Sequence, residues 1–531
     1  MGTRSLYHLA EQYLKAFEDI EDKSIFAQSL IGLEKETLRV SNEGGLAQTP
    51  HPLALGSALT HPHITTDYSE ALLEIVTPPL KDIPSVLKFL SDTQRFIYNQ
   101  LDDEILWATS MPCVVAGETS IPLAKYGSSN SGLMKTVYRR GLGHRYGRVM
   151  QVIAGVHFNF SFSEKFWPLF FEISKQKNKN TQESISESYF SLLRNLQRFG
   201  WLIPYLFGAS PAVCKSFLQG KETSLLQFND TTYYEPFATS LRMGDIGYQN
   251  NKESEVGVAA DYSSLNNYIN SLQHAIETPC PEYQKFGLEV DGQFQQLSTN
   301  ILQIENEYYS TVRPKQITYK NEMPIEALRN RGVRYVELRS LDVNASHPLG
   351  INEEQLYFLE TLMLFCLSYE SPPINADEKK EIDSNEMLAA HQGRDPALKL
   401  TRNGKDISIK VWGGEIIDVM QGYASLLDDV HGSDDYSRSL KNQKQAIDNP
   451  ECTPSAIMLD EMSQNGEGFY QHAMRMSQQH HENFIKENLS LENTQFFTDL
   501  TITSLEKQKQ IEDSDVLPFA TFLQKYFAKS L

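Results

Sequence analysis

An α+β fold, with a sheet-bearing body followed by a helical C-terminal portion, is predicted by two observations. Short runs of alternating polar and apolar residues recur through the first 370 or so residues, the period-two signature of half-buried strands. A compositional break then falls at Ser371–Ser384 (SPPINADEKKEIDS), where paired prolines precede a charged stretch. Beyond it Ile416–Leu427, Tyr436–Ile447, Ser455–Met462 and Gly468–Asn488 carry apolar residues at helical spacing. Residues 1–370 therefore form the body and residues 371–531 a mostly helical portion packed on it. The polar run Lys177–Glu187 reads as an exposed loop.

Bulk properties narrow the class. The 531 residues are 40% hydrophobic and 22% charged, ordinary for a soluble globular protein. A formal net charge of −20 disfavours nucleic acid and anionic membranes as partners. The five cysteines, at 113, 214, 280, 366 and 452, are far apart with no C-x-x-C pair, which argues against a disulfide framework and a zinc knuckle. Residues 1–17 carry Tyr7, Leu9, Ala10, Tyr13, Leu14 and Phe17 at helical spacing and lack the apolar core of a signal peptide. No apolar run is long enough to span a bilayer. The expectation is a cytoplasmic protein that works as a monomer.

Side chains two apart on a strand share a face roughly 6.5–7 Å from each other. On that rule Glu34 and Glu36 of Ile31–Val40 lie together, and His157, Asn159 and Ser161 oppose a dry face of Val156, Phe158, Phe160 and Phe162. In Asn300–Tyr308, read as a strand, Gln303, Glu305 and Glu307 share a face, and in Val333–Leu341 Glu337 and Arg339 do so with Tyr335. Thr65–Pro79 adds Asp67, Glu70 and Glu74. A helical turn at Tyr68–Leu73 would put Glu70 one turn from Glu74, whereas the β-branched Ile75, Val76 and Thr77 favour a strand over Leu72–Thr77. Any one of these acids alone reads as a solvated surface residue. Gathered with one imidazole and few cations, they would repel one another unless metal ions sat between them. Hard oxygen donors favour Mg²⁺ or Mn²⁺ in the company of substrate phosphates, and Arg339 could stabilise a phosphoryl group in transit.

Other signals are weaker. Lys135–Arg148 is a dense basic patch in an acidic chain, either a solvated helix face or a binder of phosphate or carboxylate. No Walker loop or dinucleotide fingerprint is present: Gly220–Lys221 is followed by Glu222. Cys113 reads as a buried apolar residue, and His480–His481–Glu482 as surface.

The runs Gly32–Val40 (GLEKETLRV), Ala54–His61 (ALGSALTH), Ile64–Glu74 (ITTDYSEALLE), Tyr126–Asn130 (YGSSN), Gly155–Asn159 (GVHFN), Phe199–Pro211 (FGWLIPYLFGASP), Thr239–Arg242 (TSLR), Leu302–Glu307 (LQIENE) and Tyr335–Asp342 (YVELRSLD) closely resemble, in order, the bacterial glutamate–cysteine ligases over roughly residues 25–370. The resemblance implies a glutamine-synthetase-like fold, in which a curved, mainly antiparallel sheet forms an active-site funnel. It implies metal ligands at Glu34, Glu36, Asp67, Glu74, His157 and Glu337, and assistance to phosphoryl transfer by Arg339. It likewise implies glutamate binding by Arg242 and a cysteine pocket lined by Tyr138 and Tyr248. The implied reaction uses ATP to phosphorylate the γ-carboxylate of L-glutamate, after which the amine of L-cysteine displaces phosphate; this is the first step of glutathione biosynthesis. No ATP-base contacts are marked, and Cys366 and Cys452 do not match the cysteine pair found in some members. The alternatives are a glutamate ligase for another amine and a metal-dependent hydrolase.

Overall fold

The computed structural model describes residues 6–113, 115–174, 181–247 and 259–530. Its frame is a seven-stranded sheet built from β1 (Leu30–Ser41), β2 (Ile64–Thr66), β3 (Leu72–Val76), β4 (Glu104–Leu106), β5 (Val156–Ser161), β6 (Val312–Lys315) and β7 (Tyr335–Leu341). The order is β6-β7-β5-β1-β3-β2, with β4 paired to the far end of β1, and every pairing is antiparallel. Alternation decides which face is dry. Leu33, Phe158, Phe160, Val336 and Leu338 are buried against the helices, which leaves their polar neighbours on the opposite face. The β5–β7 ladder shifts register between Leu338 and Leu341, the stretch that carries Arg339.

One strand, β1, carries two charges into the interior. Arg39, on β1, is fully buried; it pairs with Glu104 and donates to the carbonyls of Thr49 (3.0 Å), Pro50 (3.2 Å) and Glu70 (2.9 Å). Lys35 points to the dry side between Glu34 and Glu36, donates to Gln94 Oε1 at 2.6 Å, and has its ammonium pushed down to about 7 by burial.

Helices cover the sheet and continue beyond it: α1 (His8–Glu18), α2 (Ile83–Tyr98), α3 (Asn130–Tyr146), α4 (Gln182–Arg198), α5 (Glu353–Ser368), α6 (Ala376–Gln392), α7 (Ile409–His431), α8 (Asp435–Asp448), α9 (Pro454–Asn465), α10 (Phe469–Lys486), α11 (Leu491–Ser514) and α12 (Phe519–Phe527) are those used below. Local chemistry sets their starts. The side chain of Asp82 accepts from Ser85 N (2.8 Å) at the head of α2, and Asn352 and Gln355 form a reciprocal capping box on α5. Nearly every side chain of α5 is buried, because α4, α7 and α8 pack around it. Among the described residues no helix is long and apolar enough to cross a membrane.

Three expectations need correction, and a fourth segment is filled in. The polar run 177–187 becomes helical from Gln182, capped by Thr181, because Ser186, Tyr189 and Phe190 give it a buried face; residues 175–180 lie outside the described residues. The charged stretch after the paired prolines, read only as a compositional break, opens α6, started by Asn375, whose side chain accepts from Asp377 N and Glu378 N. Cys113 is buried but is joined to Cys214 in a disulfide, a pairing hidden by 101 residues of separation. His480 is buried at the α10 interface with its Nε2 against the carbonyl of Ala345 (2.7 Å).

Glu360, in α5, is buried and accepts a 2.7 Å hydrogen bond from Tyr436 Oη; burial pushes its carboxyl up to about 7. A folded value above the unfolded one means that this carboxyl stabilises below the ordinary carboxylate range and loses that contribution as pH rises through about 7. Glu360→Gln should therefore flatten the fall in Tm between about pH 5 and pH 8 and be the more stable protein at the upper end, by on the order of 1–3 kcal/mol. Thermal melts across that range check it.

Candidate active site

Register brings the acids together. Antiparallel pairing sets Glu34 opposite His157, Glu36 opposite Glu74, and Glu337 opposite Asn159, so β1, β3, β5 and β7 each deliver a polar group to the same face. His157 Nδ1 lies 3.1 Å from Glu34 and 3.9 Å from Glu337, and its Nε2 lies 3.8 Å from Glu36. Asn159 donates to the other oxygen of Glu34 at 3.0 Å, and the backbone N–H of Gly155 donates to Glu36 at 2.7 Å. Asp67 directly follows β2, and Arg139 reaches it at 3.6 Å.

These groups face a cleft of about 610 Å³, lined by Glu34, Glu36, Asp67, Glu74, His157, Glu337, Arg339 and Tyr138 among others. Cations on the same wall answer part of the charge. Lys315 Nζ and Arg339 Nη1 each lie 3.3 Å from Glu337 Oε1. The resulting electrostatics are uneven. Burial works to raise the carboxyls of Glu34, Glu36, Glu74 and Glu337. At Glu337 the neighbouring Lys315, Arg339 and His157 outweigh it and hold the group well below the usual range. At Glu34 the hydrogen bond with His157 leads a smaller net lowering. Glu36 stays raised despite His157, Arg339 and Arg242, and Glu74 is raised well above the usual range by burial compounded by Glu34, Asp67 and Glu36. Burial lowers the Arg339 guanidinium less than Glu337, Glu36 and Glu34 raise it, so it stays cationic.

The acid cluster fits a divalent cation on its chemistry. One donor atom each from Glu34, His157 and Glu337 lies within 4.8 Å of the others, and Glu337 Oε2 is buried with no hydrogen-bond partner among the described residues. A carboxylate oxygen left in that state is what a bound cation would satisfy.

Not every expected residue reaches the cleft. Arg242 lies one layer behind it: Nη2 donates to the carbonyl of Arg339 (2.8 Å) and Nη1 is 3.6 Å from Asp342, while Gly247, at the end of the same turn, does line the cleft. Tyr248 lies outside the described residues. Asn300–Tyr308 is not a strand. Glu305–Glu307 forms a 3₁₀ turn because its acids have local and structural partners: Glu307 takes Gln303 N (2.7 Å) and the buried Arg145 (2.8 Å), and Glu305 takes Ile325 N (2.9 Å). The basic patch is helix α3, and it is divided. Arg139 and Arg145 both line the cleft, but Arg145 is held between Glu307 and the Tyr283 ring (4.1 Å). Sequence reasoning missed Lys315 and Arg313, both lining residues on β6, whose run Val312–Lys315 carries cations at alternate positions, the signal that marks a strand with one charged face.

Carboxylates and guanidinium groups gathered in one polar cleft on an antiparallel sheet define an enzyme site for small charged substrates. A family model described as glutamate-cysteine ligase matches residues 14–388. The glutamate–cysteine ligase of Alcanivorax borkumensis is 45% identical over 97% of this chain and 99% of its own, and that of Pseudomonas putida 47% identical over 96% of each. The crystal structure of the Francisella tularensis glutamate–cysteine ligase in complex with AMP superposes with a TM-score of 0.88 at 36% identity, covering 95% of this chain and 98% of that one. A bifunctional glutathione synthetase from Pasteurella multocida shares the fold (TM-score 0.71, 22% identity, 90% of this chain and 57% of that one). The chain belongs to the glutamate–cysteine ligase family.

A Cβ built on Gly155 would stand 2.1 Å from Arg242 Nη2, so the glycine that opens the β5 run is what admits the guanidinium. Gly155→Ala should displace Arg242 and the N–H held by Glu36, and lower turnover about a hundredfold, as expected for a small misplacement at a reacting centre. Steady-state kinetics beside a circular-dichroism melt would separate that loss from unfolding.

Proposed function

We propose that this protein is an ATP-dependent ligase that joins the γ-carboxylate of L-glutamate to the amine of L-cysteine through γ-glutamyl phosphate. The observation that carries the reading is the pairing, within one cleft, of six acid or imidazole groups with Arg339, Lys315, Arg313 and Arg139, in a chain whose relatives are glutamate–cysteine ligases over almost their whole length. Neither an alternative amine nor a hydrolytic reaction has support among those relatives.

Glu34, Glu36, Asp67, Glu74, His157 and Glu337 would hold Mg²⁺, with Mn²⁺ a substitute. Bound there, a divalent ion would neutralise phosphate charge and align the phosphoryl group. The remaining work falls to the chain itself. Arg339, held cationic by Glu337, Glu36 and Glu34, meets the charge that develops on the phosphoryl oxygens as the glutamate carboxylate attacks the γ-phosphorus of ATP. Lys315 and Arg313, from the neighbouring strand, extend that positive edge along the polyphosphate. Arg242 is assigned to glutamate, with the Arg242–Gly247 turn bringing that substrate to the cleft edge, and Tyr138 and Tyr248 to the cysteine pocket. The cysteine amine then attacks the acyl carbon, phosphate leaves, and no covalent bond to the protein forms. Beside that reading we propose a cytoplasmic location and a monomeric state, with residues 1–370 as catalytic body and 371–531 packed on it.

ADP release measured with ATP, Mg²⁺ and glutamate, with and without cysteine, tests the proposal. Dependence on both amino acids, with γ-glutamylcysteine found by mass, supports it; ATP turnover with a different amine alone, or none, opposes it. Glu36→Gln keeps the size of the side chain and removes its charge, and should cut turnover about a hundredfold or more at an unchanged melting temperature. Chelation by EDTA should stop ADP release and added Mg²⁺ restore it.

A further inference from the structure

Two sequence runs singled out above, Ala54–His61 and Tyr126–Asn130, supply no group to the reaction, and the structure shows what they hold. Gly56 and Gly127 both have positive φ (86° and 84°), and a Cβ on either would strike α11: Ser504 Oγ at 2.4 Å from Gly56, and Gln508 and Glu512 at 2.2 Å from Gly127. Ser57 N donates to Ser504 Oγ (2.9 Å), Ser57 Oγ to Gln508 (2.5 Å), and Thr60 Oγ1 to the carbonyl of Ser504 (2.5 Å). In the second run Ser128 N donates to Glu512 (2.8 Å). The side chain of Asn130 donates to Asp515 (2.9 Å) and to the carbonyl of Leu517 (2.9 Å), and its N–H also bonds Asp515. Both runs are thus a cradle for α11 and for the turn into α12.

The cradle aims α12 at the cleft. Phe522 and Leu523 form, with Val137 of α3 and Leu297, a small apolar cluster separate from the main core, and Tyr138 and Ile304 pack against it. Lys529 closes the far end on Glu326 at 2.6 Å. Phe522 and Tyr526 line the cleft itself, as do Met134 and Tyr138, which pack against the same small cluster. The cleft therefore has two chemistries. The Glu34–Glu337 end, with Lys315 and Arg339, suits metal and phosphates. The α12 end offers apolar and aromatic surface, which complements the least polar side chain among the proposed substrates, the CH₂–SH of cysteine.

We propose that α12, held by the cradle, forms the wall against which the acceptor amino acid's side chain packs, with Phe522 as the residue that sets its permitted length. The proposal rests on the ligase reading above and adds a specificity role for residues 491–530. Shortening the wall should admit longer side chains, since a single methylene in an apolar pocket shifts discrimination by roughly 10–200-fold.

The test compares wild type with Phe522→Ala, using cysteine and α-amino acids of longer side chain, methionine among them, as acceptors. The expected result is a rise of about fivefold or more in the kcat/KM ratio of long acceptor over cysteine, with KM for ATP and glutamate within about twofold of wild type. Asp515→Ala, which loosens the cradle without touching the cleft, should raise KM for the acceptor alone. An unchanged ratio, a uniform loss on every substrate, or a rise confined to KM for ATP would overturn the assignment. Should Phe522→Ala not fold, Phe522→Leu removes less volume and reads the same ratio. If wild type prefers another amine, the ratio is taken against that amine. Wild type that turns over no ATP with glutamate and any amine fells the ligase reading itself, whereas an active wild type with an indifferent Phe522→Ala fells only the role of α12.

Discussion

Like charges crowded on one face of a sheet are the constraint on which this structure depends. Glu34, Glu36, Glu74 and Glu337 come from four-strand register that sets them around His157, and each is desolvated by the covering chain. Two unit charges 4 Å apart interact by about 4 kcal/mol at an effective dielectric of about 20, so the cluster is tolerable only with opposing charge close by. The protein supplies some of it: Lys315 and Arg339 hold Glu337 well below the usual carboxylate range, and a hydrogen bond with His157 lowers Glu34. Glu36 and Glu74 are left raised, by burial and, at Glu74, by the neighbouring Glu34, Asp67 and Glu36. That imbalance, together with the partnerless Glu337 Oε2, is the physical case for a divalent cation and a polyphosphate as the missing counter-charges.

Everything around the cluster serves to keep it rigid. The dry side of the sheet is aromatic and aliphatic, with Phe158 and Phe160 stacked at 6.1 Å, so the strands cannot slide without exposing them. Arg242 and Asp342 tie the back of the cleft to Ser210 and Ser240, and Asp342 takes hydrogen bonds from both serines (2.6 and 2.9 Å). The helices that follow the sheet in sequence return to it: α10 packs on α2 and β4, and α12 on α3 at the cleft. One apolar cluster runs through residues of both the body and the later helices.

What the sequence disclosed follows from how local each signal is. Strand faces are local, and β1, β5 and β7 were legible because one residue in two is polar and of a donor type. For the segment left open between turn and strand, β3 forms over Leu72–Val76, as its β-branched residues favour. Asn300–Tyr308 showed the same alternation and is not a strand, because its acids are satisfied by Gln303 N, Arg145 and Ile325 N, partners that alternation cannot reveal. The Cys113–Cys214 bond and the burial of His480 depend on contacts between distant segments. Lys315 escaped notice because β6 is short and contains Pro314, which demotes a run as a strand; the proline is tolerated because β6 is the edge of the sheet. The motifs 54–61 and 126–130 were visible as a resemblance, but their partners on α11 lie more than 370 residues away.

The most direct test of the account is where a divalent cation binds. Crystals grown with Mn²⁺, ATP and glutamate, with data collected at the manganese absorption edge, would place the ion by its anomalous signal. A peak is expected within the set Glu34, Glu36, Asp67, Glu74, His157 and Glu337, at about 2.0–2.3 Å from the donor atoms it engages. Full nucleotide density with no anomalous peak at those residues, or a peak held elsewhere in the cleft, would contradict the claim that this acid cluster is a metal site.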